Sequence, residues 1–221
     1  MDRRDKSRSI SVRRAALPFA ALLLAALPLA GCTSLVAPLL KPDVTADITA
    51  LEAGDWKLDP AHAALVFRIN HLGYSDLIGR FETFDVSLSG DAADPASARA
   101  EAVIDMHSLD IANDSFAAEL MGPKFFDADT YPQAVFRTLT VRPGPDNTAQ
   151  VDGELTLHGV TKPVMLDVRF NGTAFDPIRG AEVAGFSASA VIDRSDFGVS
   201  AYSGLVTDDV RIEIEAEFLK Q

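Results

Sequence analysis

From Asp55 to the C-terminus the dominant period of this chain is two. The last stretch is the clearest: Val210, Ile212, Ile214, Ala216 and Phe218 alternate with Arg211, Glu213, Glu215 and Glu217. That is a strand with one face buried and one charged face in water. Seven earlier stretches carry the same pattern. Their apolar positions are Leu65, Phe67 and Ile69; Phe84, Val86 and Leu88; Ala100, Ala102, Ile104 and Met106; Ala134 and Phe136; Val151, Gly153, Leu155 and Leu157; Val164, Leu166, Val168 and Phe170; and Phe186, Ala188, Ala190 and Ile192. Eight amphipathic antiparallel strands follow, and they leave two exposed edges unless the sheet closes or stacks.

Turn-rich segments separate the strands: Gly90 to Pro95, Pro143 to Asn147, and His158 to Pro163. One short helix is expected near Asn113 to Met121. Asn113 is its N-cap, Phe116 and Leu120 share a face, and Gly122-Pro123 stops it. A barrel and a sandwich both fit this pattern. The inner face is rich in small residues: Ala100, Ala102, Ala134, Gly153, Ala188, Ala190 and Ala216. A sandwich core needs bulk to reach interior packing density, whereas small inward residues around an eight-strand ring leave room for one ligand. The other reading is that large residues opposite fill those gaps.

Composition excludes several function classes. With 20 basic against 32 acidic residues, net −12, the chain lacks the basic surplus of a nucleic-acid binder. Its single Cys excludes an intrachain disulfide framework and a cysteine-built zinc site. Aromatics are 13 Phe, 3 Tyr and 1 Trp, so most aromatic surface lacks a polar tip.

The charge is divided along the chain. Residues 1–31 hold six bases and two acids, leaving 14 bases and 30 acids, net −16, for residues 32–221. After Arg14 an apolar run extends from Ala15 to Ala30, interrupted by Pro18 and Pro28 and shorter than the roughly 20 residues that span a bilayer. This is the build of a signal peptide. It ends in Leu29-Ala30-Gly31-Cys32, which resembles the lipobox of bacterial lipoproteins. The resemblance implies cleavage before Cys32, acylation of Cys32, export to the periplasm and anchoring to a membrane. With Thr33 following, the outer membrane is the expected destination. Residues 32–53 are then the lipidated Cys and a tether, and the domain occupies 54–221.

Within that domain stand Trp56-Lys57-Leu58-Asp59-Pro60-Ala61-His62, Phe67 to Gly73, Gly79-Arg80-Phe81, Phe125-Phe126-Asp127, Tyr131-Pro132, Gly153 to Val164, and Ile192 to Gly198. In this order and spacing the chain resembles the YceI-like family of bacterial periplasmic proteins, over about Gly54 to Phe218. The resemblance implies an all-β, lipocalin-like, eight-stranded antiparallel barrel. It also implies that the barrel binds a polyisoprenoid or another long amphiphile, such as a polyprenyl phosphate, an isoprenoid quinone or a fatty amphiphile. A lipobox departs from the freely soluble members and would confine this chain to a membrane surface.

The side chains expected to line the cavity are Phe67, Ile69, His71, Phe84, Phe126, Phe136, Leu166, Val168, Phe186 and Ile212. Arg80, Lys124 and Arg194 are the cations that could meet a ligand head group. His62, His71, His107 and His158 form no i, i+4 pair and no His-Glu-x-x-His run, and no Ser lies in a Gly-x-Ser-x-Gly elbow. Asp127 and Asp129 alone are too few for calcium, which takes six to eight oxygens. The expectation is a non-enzymatic binder with no metal and no cofactor other than the bound lipid. The alternative is a surface interaction or stress-protection module with a filled barrel.

Overall fold

The structure, a computed structural model, describes residues 37–38 and 40–221. The basic head, the apolar run, Cys32 and the start of the tether lie outside the described residues. The body consists of β1 (Gly54–His71), β2 (Ser75–Phe81), β3 (Phe84–Asp91), β4 (Asp94–Asp105), β5 (Leu109–Ile111), the helix α1 (Asp114–Met121), β6 (Gln133–Pro143), β7 (Thr148–Leu157), β8 (Val160–Asp176), β9 (Ala181–Asp193) and β10 (Val206–Lys220).

Eight of these strands form a closed antiparallel ring. The order runs β1, β3, β4, β6, β7, β8, β9, β10, and β10 pairs back onto β1 from Trp56↔Lys220 to His71↔Val206. These are the eight strands expected from the alternation. Closure satisfies the ring's edges and decides for a barrel over a sandwich.

β2 and β5 lie outside the ring and were not legible from the period. β3 pairs with β1 only from Gly54 to Lys57, and β2 takes over the same edge from Leu65 to His71. β5 in turn pairs with β2. The middle inward position of β2 is Gly79, so its apolar alternation is broken. That glycine is needed because a Cβ there would lie 2.3 Å from Phe67 Cζ and 2.7 Å from Ile111 Cγ2. β1 also begins earlier than its clear alternation. A register shift between Leu58 and Ala63 interrupts the pattern, as a bulge does.

Local signals account for the connections. Asn113 caps α1, its side chain accepting the Phe116 N–H at 3.0 Å. The β7–β8 turn is His158-Gly159, with φ of 51° and 75°, the left-handed pair of a two-residue type I′ connection. The His158 ring nitrogen Nδ1 lies 3.1 Å from the Phe197 carbonyl and donates to it, tying this hairpin to the 3-10 turn Arg194–Phe197.

Part of the expected tether belongs to the packed body. Thr45 and Thr173 exchange two backbone hydrogen bonds of 3.1 and 2.9 Å. Asp47 caps the 3-10 turn Ile48–Ala50. Ile48 and Leu51 pack against a buried cluster of Trp56, Leu58, Phe170, Ala184, Ala216 and Phe218. Ordered packing therefore starts before Gly54. A second buried cluster, including Met106, Leu109, Leu120, Phe125 and Phe197, closes the end of the barrel that carries α1.

Candidate ligand-binding cavity

Between these two apolar layers the barrel is hollow. The cavity measures about 660 Å³, within the range of about 300–1,000 Å³ usual for small-molecule sites. Ala100, Ala102, Ala134, Ala188, Ala190 and Ala216 line it, as expected for small inward residues. Gly153 does not. A Cβ at Gly153 would lie 2.2 Å from Phe136 Cζ, so the Phe136 ring fills that space. At this one position the gap-filling alternative holds.

Of the side chains expected on the wall, Phe67, Ile69, Phe84, Phe126, Phe136, Leu166, Val168, Phe186 and Ile212 line the cavity. The Phe170–Phe186 rings meet tilted at 5.3 Å between centroids, and Phe186–Phe218 and Phe81–Phe126 meet edge to face at 5.7 and 6.2 Å. His71 is not on the wall. His71 keeps its phase against β2, but it is the last residue of β1, beyond a shift whose extra residues lie on β10, and it is exposed there.

Two of the three expected head-group cations also lie elsewhere. Arg80 projects from the outer face of β2, paired with Asp110 at 2.7 Å and Glu82 at 2.8 Å. The Lys124 ammonium is exposed and sits 4.0 Å from the Tyr202 ring centroid, a cation–π contact. Arg194 does reach the cavity wall but is committed. It is 6% exposed, donates to the carbonyls of Thr207, Val199 and Ala201 at 3.1, 2.9 and 2.8 Å, and lies 2.9 Å from Asp208.

At the end opposite α1 the cavity lining extends to exposed residues of the turns. Its rim there includes Ser89, Asp91, Arg99, Gly144, Asp146 and Thr148, from the β3–β4 and β6–β7 turns, and Ile48 and Leu51 from the segment before β1. β4 and β6 pair only from Glu101↔Arg137 to Asp105↔Gln133. One further link joins them, the Ala100 N–H donated to Thr138 Oγ1 at 3.2 Å. Beyond it the two hairpins separate, leaving a seam in the wall. Neither seam nor rim was foreseen, because alternation reveals faces and not register.

The lining includes no His, Cys, Glu or Lys. His62 bonds Asp59 at 2.8 Å and His107 bonds Asp129 at 3.1 Å, and among the described residues no three metal-ligating side chains converge. Outside the wall, Arg179 gathers Asp59, Asp176 and Glu217 at 3.1, 2.8 and 2.6 Å. Burial alone would raise the pKa of Asp59, but hydrogen bonds from His62, the Ala61 amide and Arg179 together hold it below 3.8. The Arg179 backbone and guanidinium donors hold Asp176 below 3.8 as well.

Comparison with known proteins agrees with this architecture. The YceI-like domain matches residues 56–218. A UPF0312 protein of Pseudomonas putida is 36% identical over 171 residues, covering 76% of this chain and 88% of the relative. One of Vibrio cholerae is 34% identical over 168 residues, covering 75% and 88%. Among solved structures, BcnA of Burkholderia cenocepacia superposes with a TM-score of 0.66 at 26% identity, over 72% of this chain and 98% of BcnA. The YceI protein of Campylobacter jejuni gives 0.63 at 28%, over 69% and 90%. A polyisoprenoid-binding domain from Saccharophagus degradans shares the fold, with a TM-score of 0.55 at 17% identity over 75% and 98%. With its barrel, its ordered motifs and a match that runs from Trp56 to Phe218, the chain belongs to the YceI-like family.

Proposed function

We propose that this chain is a binding protein that carries or stores a polyisoprenoid or related long-chain amphiphile in its barrel. Polyprenyl phosphates, isoprenoid quinones and fatty amphiphiles are the classes considered. In this reading it is exported to the periplasm and held at a membrane, the outer one by the Thr33 criterion, through acyl chains on Cys32. The observation that carries the reading is the cavity of about 660 Å³, walled by Phe and aliphatic side chains. An apolar tail entering it gains roughly 25 cal/mol for each Å² removed from water, less the cost of ordering the tail. Family membership supports the reading, and so does the name of the fold neighbour from Saccharophagus degradans. The interior of the wall, built of Phe and aliphatic side chains with its carboxylates Asp91 and Asp146 out in the turns, favours a binder over a catalyst, since general acid–base work needs a titratable group in reach of the reacting atoms. The same cavity argues against a filled interaction module.

Native mass spectrometry tests this on the protein extracted gently from cell envelopes. The expected mass is a chain beginning at acylated Cys32, together with a co-purified amphiphile. A homogeneous ligand-free mass, with no uptake of added prenol or quinone, overturns the binding reading. Membrane retention of a Cys32→Ala variant overturns the lipid anchor.

A further inference from the structure

Arg99 stands at the seam between β4 and β6. By alternation its side chain should project outward, between the inward Ala98 and Ala100, yet it contributes to the cavity lining. The reason is its hydrogen bonding. Arg99 Nη1 donates to the carbonyls of Ala96 and Ala98 at 2.9 and 2.7 Å. In a strand, the N–H and C=O of one residue point to the same side, and alternate residues share that side. The Ala100 N–H faces β6, where it meets Thr138, so the Ala98 carbonyl two residues back faces β6 also; Ala96 lies in the irregular stretch where β4 carries extra residues between Asp94 and Arg99. Strand β6 has diverged there, and the guanidinium folds over these acceptors into the seam.

The guanidinium has five N–H donors, of which Nη1 alone is engaged. Among the described residues no carboxylate lies within 4 Å of it, although the rim also carries Asp91 and Asp146. Of the two cations on the cavity wall, Arg194 is bonded to three carbonyls and lies beside Asp208, while Arg99 Nε and Nη2 have no hydrogen-bond partner among the described residues. We propose that the seam is the head-group site of the cavity and that Arg99 selects an anionic head, a monophosphate in the first instance, over a neutral one. The tail then runs inward past Ala100 and Phe136, and the charged head remains at the solvent-facing seam, where a charge-assisted bond forms without burying an ion. This rests on the proposal that the cavity takes a long amphiphile.

The test is a competition on the full chain in phosphatidylcholine nanodiscs. Equal amounts of an all-trans C20 prenol and its monophosphate are added, and native mass spectrometry reads the ratio of the two loaded masses. The wild type is expected to favour the monophosphate. Arg99→Gln is expected to lower that ratio about tenfold while prenol loading persists, and Arg99→Lys to keep most of the preference. An unchanged ratio in Arg99→Gln, or loss of both ligands in that variant alone, overturns the head-group assignment and leaves the cavity reading intact. If the wild type loads neither molecule, the cavity reading falls and the assignment falls with it.

Discussion

The ring of Phe136 on β6 occupies the place of a side chain on Gly153 of β7: a Cβ added there would lie 2.2 Å from Phe136 Cζ and 2.6 Å from the Arg137 carbonyl oxygen. The second contact is with backbone and cannot be relieved by rotation of the ring. Gly153→Ala should therefore push the ring toward the cavity and strain the β6–β7 pairing. Overpacking of this kind costs about 1–3 kcal/mol. Denaturant unfolding of Gly153→Ala should show a lowered midpoint with an unchanged slope, and prenol loading should fall. Wild-type stability and loading would mean that the ring is free to leave.

Ala188 gives the converse case. It lines the cavity, opposite Val168 on β8 and Ile214 on β10. Here the absent bulk is space and not the seat of another ring. Ala188→Phe should fill part of the 660 Å³ and abolish loading of the C20 prenol, while the melting temperature stays the same or rises. A loss of stability would indicate that the wall at Ala188 is already packed.

Arg194 was expected as a head-group contact, but its geometry is that of a structural tie. Three carbonyls from the β9–β10 connection and the start of β10 converge on it, with Asp208 beside it. Arg194→Met would leave buried acceptors and a carboxylate without their donor. The cost is about 3 kcal/mol, measurable as a lowered unfolding midpoint and faster hydrogen exchange over residues 198–208. The preference for monophosphate over prenol in the surviving folded protein should stay unchanged. A shift in that preference would return Arg194 to the head-group site.

The ring of eight strands was legible because each strand has one face in the cavity and one in water, which writes the period into the sequence. The same physics explains what was not legible. β2 fails because Gly79 yields its inward position to Phe67, and β5 is too short to show a period. His71 has the right phase but lies past a register shift. The hollow interior followed from the alanines, whereas at Gly153 a small residue seats a ring. The strand phase of Arg99 points outward, so the alternation carries no sign of its contact with the cavity. Its place at the seam depends on where β4 and β6 stop pairing, and that register is not carried by alternation.

The cluster around Arg179 should make stability depend on acid. In the folded chain burial pushes the Asp59 pKa up, but hydrogen bonds from His62, the Ala61 amide and Arg179 outweigh it and hold Asp59 below 3.8, while Asp176 is held below 3.8 chiefly by Arg179. In the unfolded chain both return to the ordinary value of 3.8, so between the two values the unfolded state binds more protons. Stability then rises with pH across that interval. The contribution is fully present above 3.8 and is lost as pH falls through the folded values. Burial opposes the charge on Arg179, but the hydrogen bonds it donates to Glu217, Asp176 and Asp59 outweigh it and raise its pKa, so the guanidinium stays charged throughout. Arg179→Met should lower the melting temperature by several degrees at neutral pH, where the three carboxylates lose their common donor. The gap between variant and wild type should narrow as the pH falls below 3.8 and the carboxylates protonate. A gap that stays constant from neutral pH into that range would show that Arg179 acts through its aliphatic packing and not through these ion pairs.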